Sequence, residues 1–303
     1  MSLFAFTVPD SKKIRLIIDT DAKNEADDQY AIVHALLTQK FIVKGVIGAH
    51  FGDRRGPGSM NESFEEAQKV MRLTGADPSI PIAHGAPHAV EKDEQPTLSE
   101  GSELIIEEAM KADPHPLFCI FLGPLTDLAA ALMHHPKIAD RMTAVWVGGE
   151  AWPQGGPEFN LDNDCEAADI VFASGIELWQ IPRNVYNRFK VSLAELQVRV
   201  QPHGAIGDYL FTQMVAFNDQ LAENRGWPLG ETWVLGDSSA VGVLLDPHEY
   251  DFELHPAPRI GQDGRYVSQD VSHKIRVYND LDVRFILEDF YAKLKLQAGV
   301  TAR

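Results

Sequence analysis

The stretch IRLIIDTDAKNEADDQYAIVHALL, residues 14–37, places an acidic loop between two apolar segments. Residues 14–19 predict a buried strand, and the spacing of apolar residues after residue 28 predicts a helix. The acidic residues of this stretch are Asp19, Asp21, Glu25, Asp27 and Asp28. Because like charges a few ångströms apart repel each other, something must offset their proximity. A solvated turn and a bound cation are the two explanations to weigh.

The same alternation of short apolar runs and longer amphipathic segments continues through two-thirds of the chain. Buried strands are predicted at 14–19, 42–48, 80–84, 117–122, 143–148 and 177–182. Helical spacing occurs between them, at 26–39, 61–75, 99–113, 124–136 and 165–175. Strands that alternate with helices predict βαβ units, and therefore an open α/β fold with a mostly parallel sheet flanked by helices.

The pattern changes after residue 185. Later segments predict two helices, antiparallel strands and a terminal helix, at 192–222, 236–247, 265–280 and 281–297. We interpret residues 1–303 as one α/β domain in which residues 185–303 cover the site. In open α/β sheets ligands bind beyond the carboxyl ends of the strands, which is where the acidic loop lies.

Composition and charge exclude several classes of function. The net charge of −17 argues against nucleic-acid or anionic-membrane binding, which require basic surfaces. No apolar run is long enough to span a membrane, and the N-terminus lacks the order of a secretory signal. Only Cys119 and Cys165 occur, so a disulfide framework is excluded and a reducing, cytoplasmic setting is expected. A small-molecule substrate is favoured by elimination.

As a metal site, the acidic loop offers carboxylates and backbone oxygens, which suit a hard cation such as Ca²⁺ or Mg²⁺. Asp27 and Asp28 are adjacent, so in the first turn of a helix they point in different directions, and one could hold metal while the other holds substrate. Asp19 and Asp21 would share a side if the extended backbone continues.

Three alternatives to this metal site remain. An EF-hand fails, because Asn24 and Tyr30 stand where its glycine and glutamate are required. A phosphatase of the haloacid-dehalogenase type also begins with a strand and D-x-D, but Lys23 replaces its expected threonine or valine. An acidic helix N-terminus, stabilised by the helix dipole, is the structural alternative.

The segment GPEFNLDNDCEAADIVFASG, residues 156–175, is the second unusual feature. Glu158 and Asn160 lie two residues apart in a predicted loop and could present a carboxylate and an amide to the same hydroxyl groups. Asp164 is better explained as a helix cap.

The segment ETWVLGDSSAVGVLLDP, residues 231–247, is the third. Asp237 precedes a helix of small residues. It is therefore either an N-cap or a late carboxylate that returns to the loop after the first strand.

Together these segments resemble the nucleoside hydrolase family of the inosine–uridine-preferring type. The matching motifs follow in order along nearly the whole chain: DTDAKNEADD (19–28), FLGPLTDLAAAL (121–132), PEFNLDNDCEAADIVF (157–172), GDSSAVGVLLDP (236–247) and DLDVRFILEDF (280–290). The resemblance implies an N-ribohydrolase with one bound Ca²⁺ and a nucleoside or riboside substrate. By analogy alone, it also implies a homo-dimer or homo-tetramer.

Residue by residue, the resemblance implies four calcium ligands: Asp21, Asp28, Asp237 and the backbone carbonyl of Leu122. It makes Asp21 the general base as well. The residues expected to hold ribose hydroxyls are Asp27, Glu158 and Asn160.

Three departures from the family pattern concern the loop and the leaving group. Residues 22–26 make the acidic loop two residues longer than usual, so Asn24 or Glu25 could enter the site. Gly236 replaces a histidine that is a candidate acid for the leaving base. An asparagine expected after the second strand falls near Asp53.

Several residues could compensate for the missing acid. Trp233 and Trp152 could stack on the base, although core packing is the alternative for each. His50, His84 and His88 follow predicted strands and could replace the acid, although a structural histidine is the alternative for each. Gly236 also keeps open a non-catalytic nucleoside-binding protein of the same fold, and a Mg²⁺-dependent phosphatase is a third, weaker hypothesis.

Overall fold

The computed structural model describes residues 4–52, 58–92, 94–226, 228–247 and 250–301. Its central sheet has eight strands, which run from one edge to the other as β3 (Ile82–His84), β2 (Phe41–Gly48), β1 (Ile14–Thr20), β4 (Leu117–Phe121), β5 (Met142–Val147), β6 (Glu177–Ile181), β12 (Lys274–Tyr278) and β9 (Phe252–Pro256). Neighbouring strands are parallel except for β9, which is antiparallel to β12. The predicted mostly parallel α/β sheet is confirmed.

Helices cover both faces of this sheet. They are α1 (Asp28–Leu36), α2 (Ser59–Thr74), α3 (Glu100–Met110), α4 (Thr126–His134), α5 (Phe159–Asn163), α6 (Cys165–Ala173), α7 (Arg183–Tyr186), α8 (Leu193–Arg199), α9 (Gly204–Arg225), α10 (Ser238–Leu245) and α11 (Val283–Thr301). Two small antiparallel pairs lie outside the sheet: β7 (Lys190–Ser192) with β8 (Thr232–Val234), and β10 (Arg259–Ile260) with β11 (Tyr266–Val267). Short 3₁₀ turns occupy Asp10–Lys12 and Pro136–Asp140. In the described part of the chain, no helix combines the length and the apolar character needed to cross a bilayer.

Strand β1 shows why the sheet is central. All seven of its residues are buried, as expected for a parallel strand that is covered on both faces. Leu16 and Ile18 pack into the core layer with α1, α2, α9, α10 and α11, whereas Ile17 packs into the opposite layer with α3, α4 and α6. The alternation of strand side chains therefore divides the core into two layers.

Two predictions about the second half of the chain need correction. The helix expected over 192–222 is divided, because α8 ends at Arg199 and α9 begins at Gly204. Pro202 lies in this break, and proline removes a helical hydrogen bond. The late strands are antiparallel within the β10–β11 and β12–β9 pairs, but β12 also pairs in parallel with β6 and so extends the main sheet.

Candidate functional site

A cavity of about 890 Å³ opens at the carboxyl ends of the central strands. The loops that follow β1, β4, β5 and β6 contribute to it, together with α5, α7 and the segment from residue 228 to 237. Its lining includes every residue assigned above to the metal or the ribose, namely Asp21, Asp27, Asp28, Leu122, Glu158, Asn160 and Asp237. Side chains that are far apart in the sequence therefore meet at the sheet edge that the strand pattern indicates.

The floor of the cavity is a cluster of buried aspartates. One carboxylate oxygen from each of Asp27, Asp28 and Asp237 lies within 4.8 Å of the other two. Asp28 is also within hydrogen-bonding reach of Asp21, and its Oδ1 accepts a hydrogen bond from the hydroxyl of Thr20. The register of the sheet produces this proximity, because β1 and the first turn of α1 carry four of these residues within nine positions.

The electrostatics of the cluster are those of charges without compensation. Burial raises the pKa of Asp21, Asp27 and Asp237 well above the usual range, and neighbouring carboxylates raise it further. Burial also raises the pKa of Asp28, although the hydroxyl of Thr20 opposes this shift. Groups of this kind become stable as carboxylates when a cation lies among them.

A hard divalent cation fits the residues present. The Oδ2 atom of Asp21 is buried and accepts no hydrogen bond from the described residues. Leu122 lines the same cavity, and its carbonyl accepts a hydrogen bond of 2.7 Å from Nδ2 of Asn160. An all-oxygen set with several carboxylates is the donor chemistry that Ca²⁺ and Mg²⁺ share, so the residues define a cation site without specifying the metal.

The approach of Asp21 to the loop after β4 depends on Gly123. A Cβ atom at position 123 would lie 2.9 Å from the Cγ atom of Asp21, so a side chain there would displace the carboxylate. The indole of Trp146 donates a hydrogen bond of 3.1 Å to the carbonyl of Gly123 and fixes this loop from the side of β5.

Glu158 and Asn160 form the wall beside the aspartates. Contrary to the expected loop, Glu158 is the N-cap of α5 and Asn160 lies in its first turn. The Oε2 atom of Glu158 accepts hydrogen bonds from the backbone N–H groups of Gly149 and Leu161, at 2.8 and 3.1 Å. Its Oε1 atom accepts a hydrogen bond of 2.7 Å from the hydroxyl of Tyr186. These donors hold the carboxylate in one orientation toward the cavity.

Tyr186 also occupies the space beside Gly236. A Cβ atom at position 236 would lie 3.0 Å from Cδ2 of Tyr186 and 3.6 Å from Oδ2 of Asp27. The same Oδ2 atom accepts a hydrogen bond of 3.3 Å from the backbone N–H of Asp237. The absence of a side chain at position 236 thus coincides with an aromatic ring from α7 that fills its place.

Residues 16–288 match the family described as inosine-uridine preferring nucleoside hydrolase. The chain belongs to this family.

Similarity to individual members extends over most of the fold. RihC, a non-specific ribonucleoside hydrolase of Salmonella enteritidis, is 26% identical over 59% of this chain and 64% of its own length, so the chain spans a little under two thirds of that relative. A purine-preferring ribonucleoside hydrolase from Gardnerella vaginalis has a TM-score of 0.78 at 22% identity, over 94% of this chain and 99% of its own. An inosine-uridine preferring nucleoside hydrolase from Bacillus anthracis has a TM-score of 0.71 at 17% identity, over 93% and 99%. At these identities, the two solved structures show likeness of fold.

The longer acidic loop of this nucleoside hydrolase is part of the cavity wall. Asn24 and Glu25 both line the cavity. The loop is fixed at both ends, because Gln29 donates a hydrogen bond to the carbonyl of Ala22, and Gln213 of α9 donates one of 2.8 Å to the carbonyl of Ala26. The two extra residues are thus directed into the site.

The two tryptophans differ in position. Trp233 is buried, lines the cavity and packs edge-on against Phe217. Trp152 is not among the described residues of the cavity lining; it stacks on His255 and donates a hydrogen bond to Gln180. The structure therefore brings Trp233, but not Trp152, to the candidate site.

The three histidines are directed elsewhere. His50 is buried; its Nδ1 accepts from the N–H of Gly52, and its Nε2 donates to the hydroxyl of Thr126. His84 pairs with Glu100. Like His88, neither is among the described lining residues of the cavity. Asp53 lies outside the described residues.

Sequence reasoning did not identify the contribution of α7 and β7. Arg183, Tyr186, Asn187 and Lys190 all line the cavity. These residues follow the predicted strand at 177–182, so the rule that ligands bind beyond strand ends could have indicated them. Phe159, between Glu158 and Asn160, was also not identified as a cavity residue.

Proposed function

We propose that this chain hydrolyses the N-glycosidic bond of ribonucleosides to ribose and free base, with Ca²⁺ held by Asp21, Asp28, Asp237 and the carbonyl oxygen of Leu122. The observation that carries the proposal is the meeting of the buried aspartate cluster with Glu158 and Asn160 in one cavity. Membership of the nucleoside hydrolase family supports the reaction class. We further propose a small nucleoside or riboside as ligand, and a homo-dimer or homo-tetramer as the assembly.

In this mechanism, Asp21 accepts the proton of the attacking water because its buried Oδ2 atom is available. Glu158, Asn160 and Asp27 hold the ribose hydroxyls and orient the anomeric carbon. As the C–N bond breaks, positive charge develops on the ribose, and the surrounding carboxylates stabilise it. When bound, Ca²⁺ would neutralise part of the carboxylate charge and supply a Lewis acid at the sugar.

The test is a turnover assay with 4-nitrophenyl riboside, inosine and uridine, performed on protein stripped of metal and then supplied with Ca²⁺ or Mg²⁺. We expect nitrophenol or base to be released in the presence of Ca²⁺, and activity to be lost after chelation. The Asp21→Asn variant should remain folded, as judged by circular dichroism, and should lose at least about a thousandfold in kcat, as expected when a general base is removed.

Different failures have different meanings. If ribosides bind but none is cleaved, the chain is a non-catalytic nucleoside-binding protein. Turnover of 4-nitrophenyl phosphate but of no riboside would favour the phosphatase instead. If Asp21→Asn retains turnover, Asp21 is not the base.

A further inference from the structure

The candidate site contains more negative charge than a metal ion and a ribose require. Seven acidic side chains line the cavity: Asp21, Glu25, Asp27, Asp28, Glu158, Asp162 and Asp237. Two basic side chains, Arg183 and Lys190, lie opposite them. A divalent ion and these two groups would carry four positive charges, so three formal negative charges would remain. The Nη1 atom of Arg183 is also 3.2 Å from Oε2 of Glu150, which neutralises part of its charge.

Glu25 is the acidic residue best placed to act on the substrate beyond the ribose. It belongs to neither the proposed metal ligands nor the proposed ribose ligands, and it comes from the two-residue extension of the loop. Its negative charge acts on both Asp27 and Tyr186, so it lies near the junction of the aspartate cluster and α7. A cleft with walls of one sign concentrates ligands of the opposite sign.

The proton donors near this junction are poorly suited to protonate a leaving base. Tyr186 donates its hydroxyl hydrogen to Glu158, and burial together with this neighbouring carboxylate raises the pKa of the phenol far above its usual value. None of the described lining residues is a histidine or a cysteine. Lys190 is exposed, and the guanidinium of Arg183 does not give up its proton.

Aromatic faces complete the same region. Tyr186 packs over Gly236, Trp233 is buried in the wall, and Phe159 lines the cavity between Glu158 and Asn160. Aromatic faces attract cations through their quadrupole, and they also stack on planar rings. The wall therefore suits a flat, positively charged group.

We infer that the preferred substrates are ribosides whose leaving group is already cationic, such as N-ribosylpyridinium or N-alkylated purinium compounds; this inference rests on the proposed hydrolase function. When the bond between the anomeric carbon and nitrogen breaks, its electron pair neutralises the positive nitrogen, and the base leaves without taking up a proton. Water adds its hydroxyl to the anomeric carbon, and its other proton passes to Asp21 and then to solvent. No acid is required for departure.

The test compares three ribosides on the Ca²⁺-loaded enzyme. The riboside of nicotinamide is a cationic pyridinium, 4-nitrophenyl riboside is neutral but needs no proton, and inosine is neutral and needs one. We expect kcat/KM for the pyridinium riboside to exceed that for inosine by about tenfold or more, with 4-nitrophenyl riboside in between. Added salt should reduce the advantage of the pyridinium riboside over the neutral nitrophenyl compound.

A variant isolates the electrostatic part of the inference. Glu25→Gln should lower the ratio of kcat/KM for the pyridinium riboside to that for 4-nitrophenyl riboside by about threefold or more, because one negative charge is removed near the leaving group. Glu103→Gln, an exposed change in the first turn of α3, removes the same charge far from the cavity and should leave the ratio unchanged.

The failures are distinguishable. If no riboside is cleaved, the proposed hydrolase function fails, and this inference fails with it. If inosine is cleaved as efficiently as the pyridinium riboside, the hydrolase function stands and the inference is overturned. An unchanged ratio in Glu25→Gln would remove Glu25 from leaving-group selection.

Discussion

At the scale of single residues, the buried aspartates set function against stability. Asp21, Asp27, Asp28 and Asp237 are almost completely removed from solvent, and burial raises the pKa of each. Without a cation, either protons must be taken up or carboxylates must repel one another. The cluster should therefore destabilise the metal-free protein and stabilise the metal-bound one.

Replacing Asp28 by asparagine separates these two effects. The asparagine side chain would keep an acceptor for the hydroxyl of Thr20 and would offer an amide donor to Asp21 and Asp237. In a chelator, we expect the Asp28→Asn protein to be more stable by about 1–2 kcal/mol, because like-charge repulsion is reduced. The stabilisation that Ca²⁺ gives the unmodified protein should disappear.

Thermal unfolding with and without Ca²⁺ measures both effects of Asp28→Asn. Asp140→Asn, an exposed change in the 3₁₀ turn after α4, provides the matched control and should behave like the unmodified protein. A variant that is less stable in chelator and still responds to Ca²⁺ would show that Asp28 is not a ligand.

Single residues also mark where sequence reasoning stops. Asp27, Asp28, Glu158, Asn160 and Asp237 could be proposed as a set because each lies in a motif, and the structure brings all five to one cavity. Their roles stay predictions. Tyr186 carries no such motif, since its position over Gly236 depends on how α7 leaves β6. Trp152 could not be separated from Trp233 by sequence, because both lie in loops.

At the scale of elements, the strands that build the site were the most predictable part. The six predicted strands correspond to β1 through β6, because buried parallel strands are continuous apolar runs. The edge strand β9 was not predicted, since most of its side chains are at least partly exposed and its apolar pattern is weak. Contacts between sequence-distant elements, such as α9 with the acidic loop, are invisible to local patterns.

The contact between α9 and the acidic loop leads to a prediction. Gln213 donates a hydrogen bond to the carbonyl of Ala26, next to Asp27. Gln213→Ala should leave this carbonyl without its donor, at a cost of about 1–3 kcal/mol. Because the loop carries two of the clustered aspartates, Ca²⁺ affinity should fall about threefold to tenfold.

Calorimetric titration with Ca²⁺ tests the effect of Gln213→Ala. Thr212→Ala, at the neighbouring position of α9, gives the matched control because the hydroxyl of Thr212 bonds only within its own helix, to the carbonyls of Asp208 and Tyr209. Equal Ca²⁺ affinity in the two variants would show that α9 does not order the loop.

At the scale of the whole molecule, the terminal helix closes the fold onto the first one. His34 of α1 is fully buried, and its Nε2 atom lies 2.7 Å from Oδ2 of Asp289 in α11. Lys293 pairs with the same carboxylate and donates a hydrogen bond to Thr38. This polar group joins segments some 255 residues apart. That residues 1–303 form one domain stays a prediction.

The buried histidine predicts how stability depends on pH. Burial lowers the pKa of His34 to about 4, although Asp289 opposes the shift. The ordinary value of 6.5 applies to the unfolded chain. Between these two pH values the unfolded chain binds a proton that folded His34 does not, so the free energy of unfolding falls as the pH drops from 6.5 toward 4. The loss contributed by His34 is about 3 kcal/mol across that window.

Urea unfolding across this pH range measures the slope in the unmodified protein and in His34→Asn. The variant should be less stable near neutral pH, because it loses packing against Phe290, but its stability should fall less steeply as the pH drops. Asp289, whose pKa is lowered by His34 and Lys293 against the effect of burial, still contributes at the acid end, so the slope should flatten and not vanish. His135→Asn, an exposed change after α4, should keep the full slope. If His34→Asn keeps it too, the acid sensitivity of the fold originates in the carboxylates and not in the contact between α1 and α11.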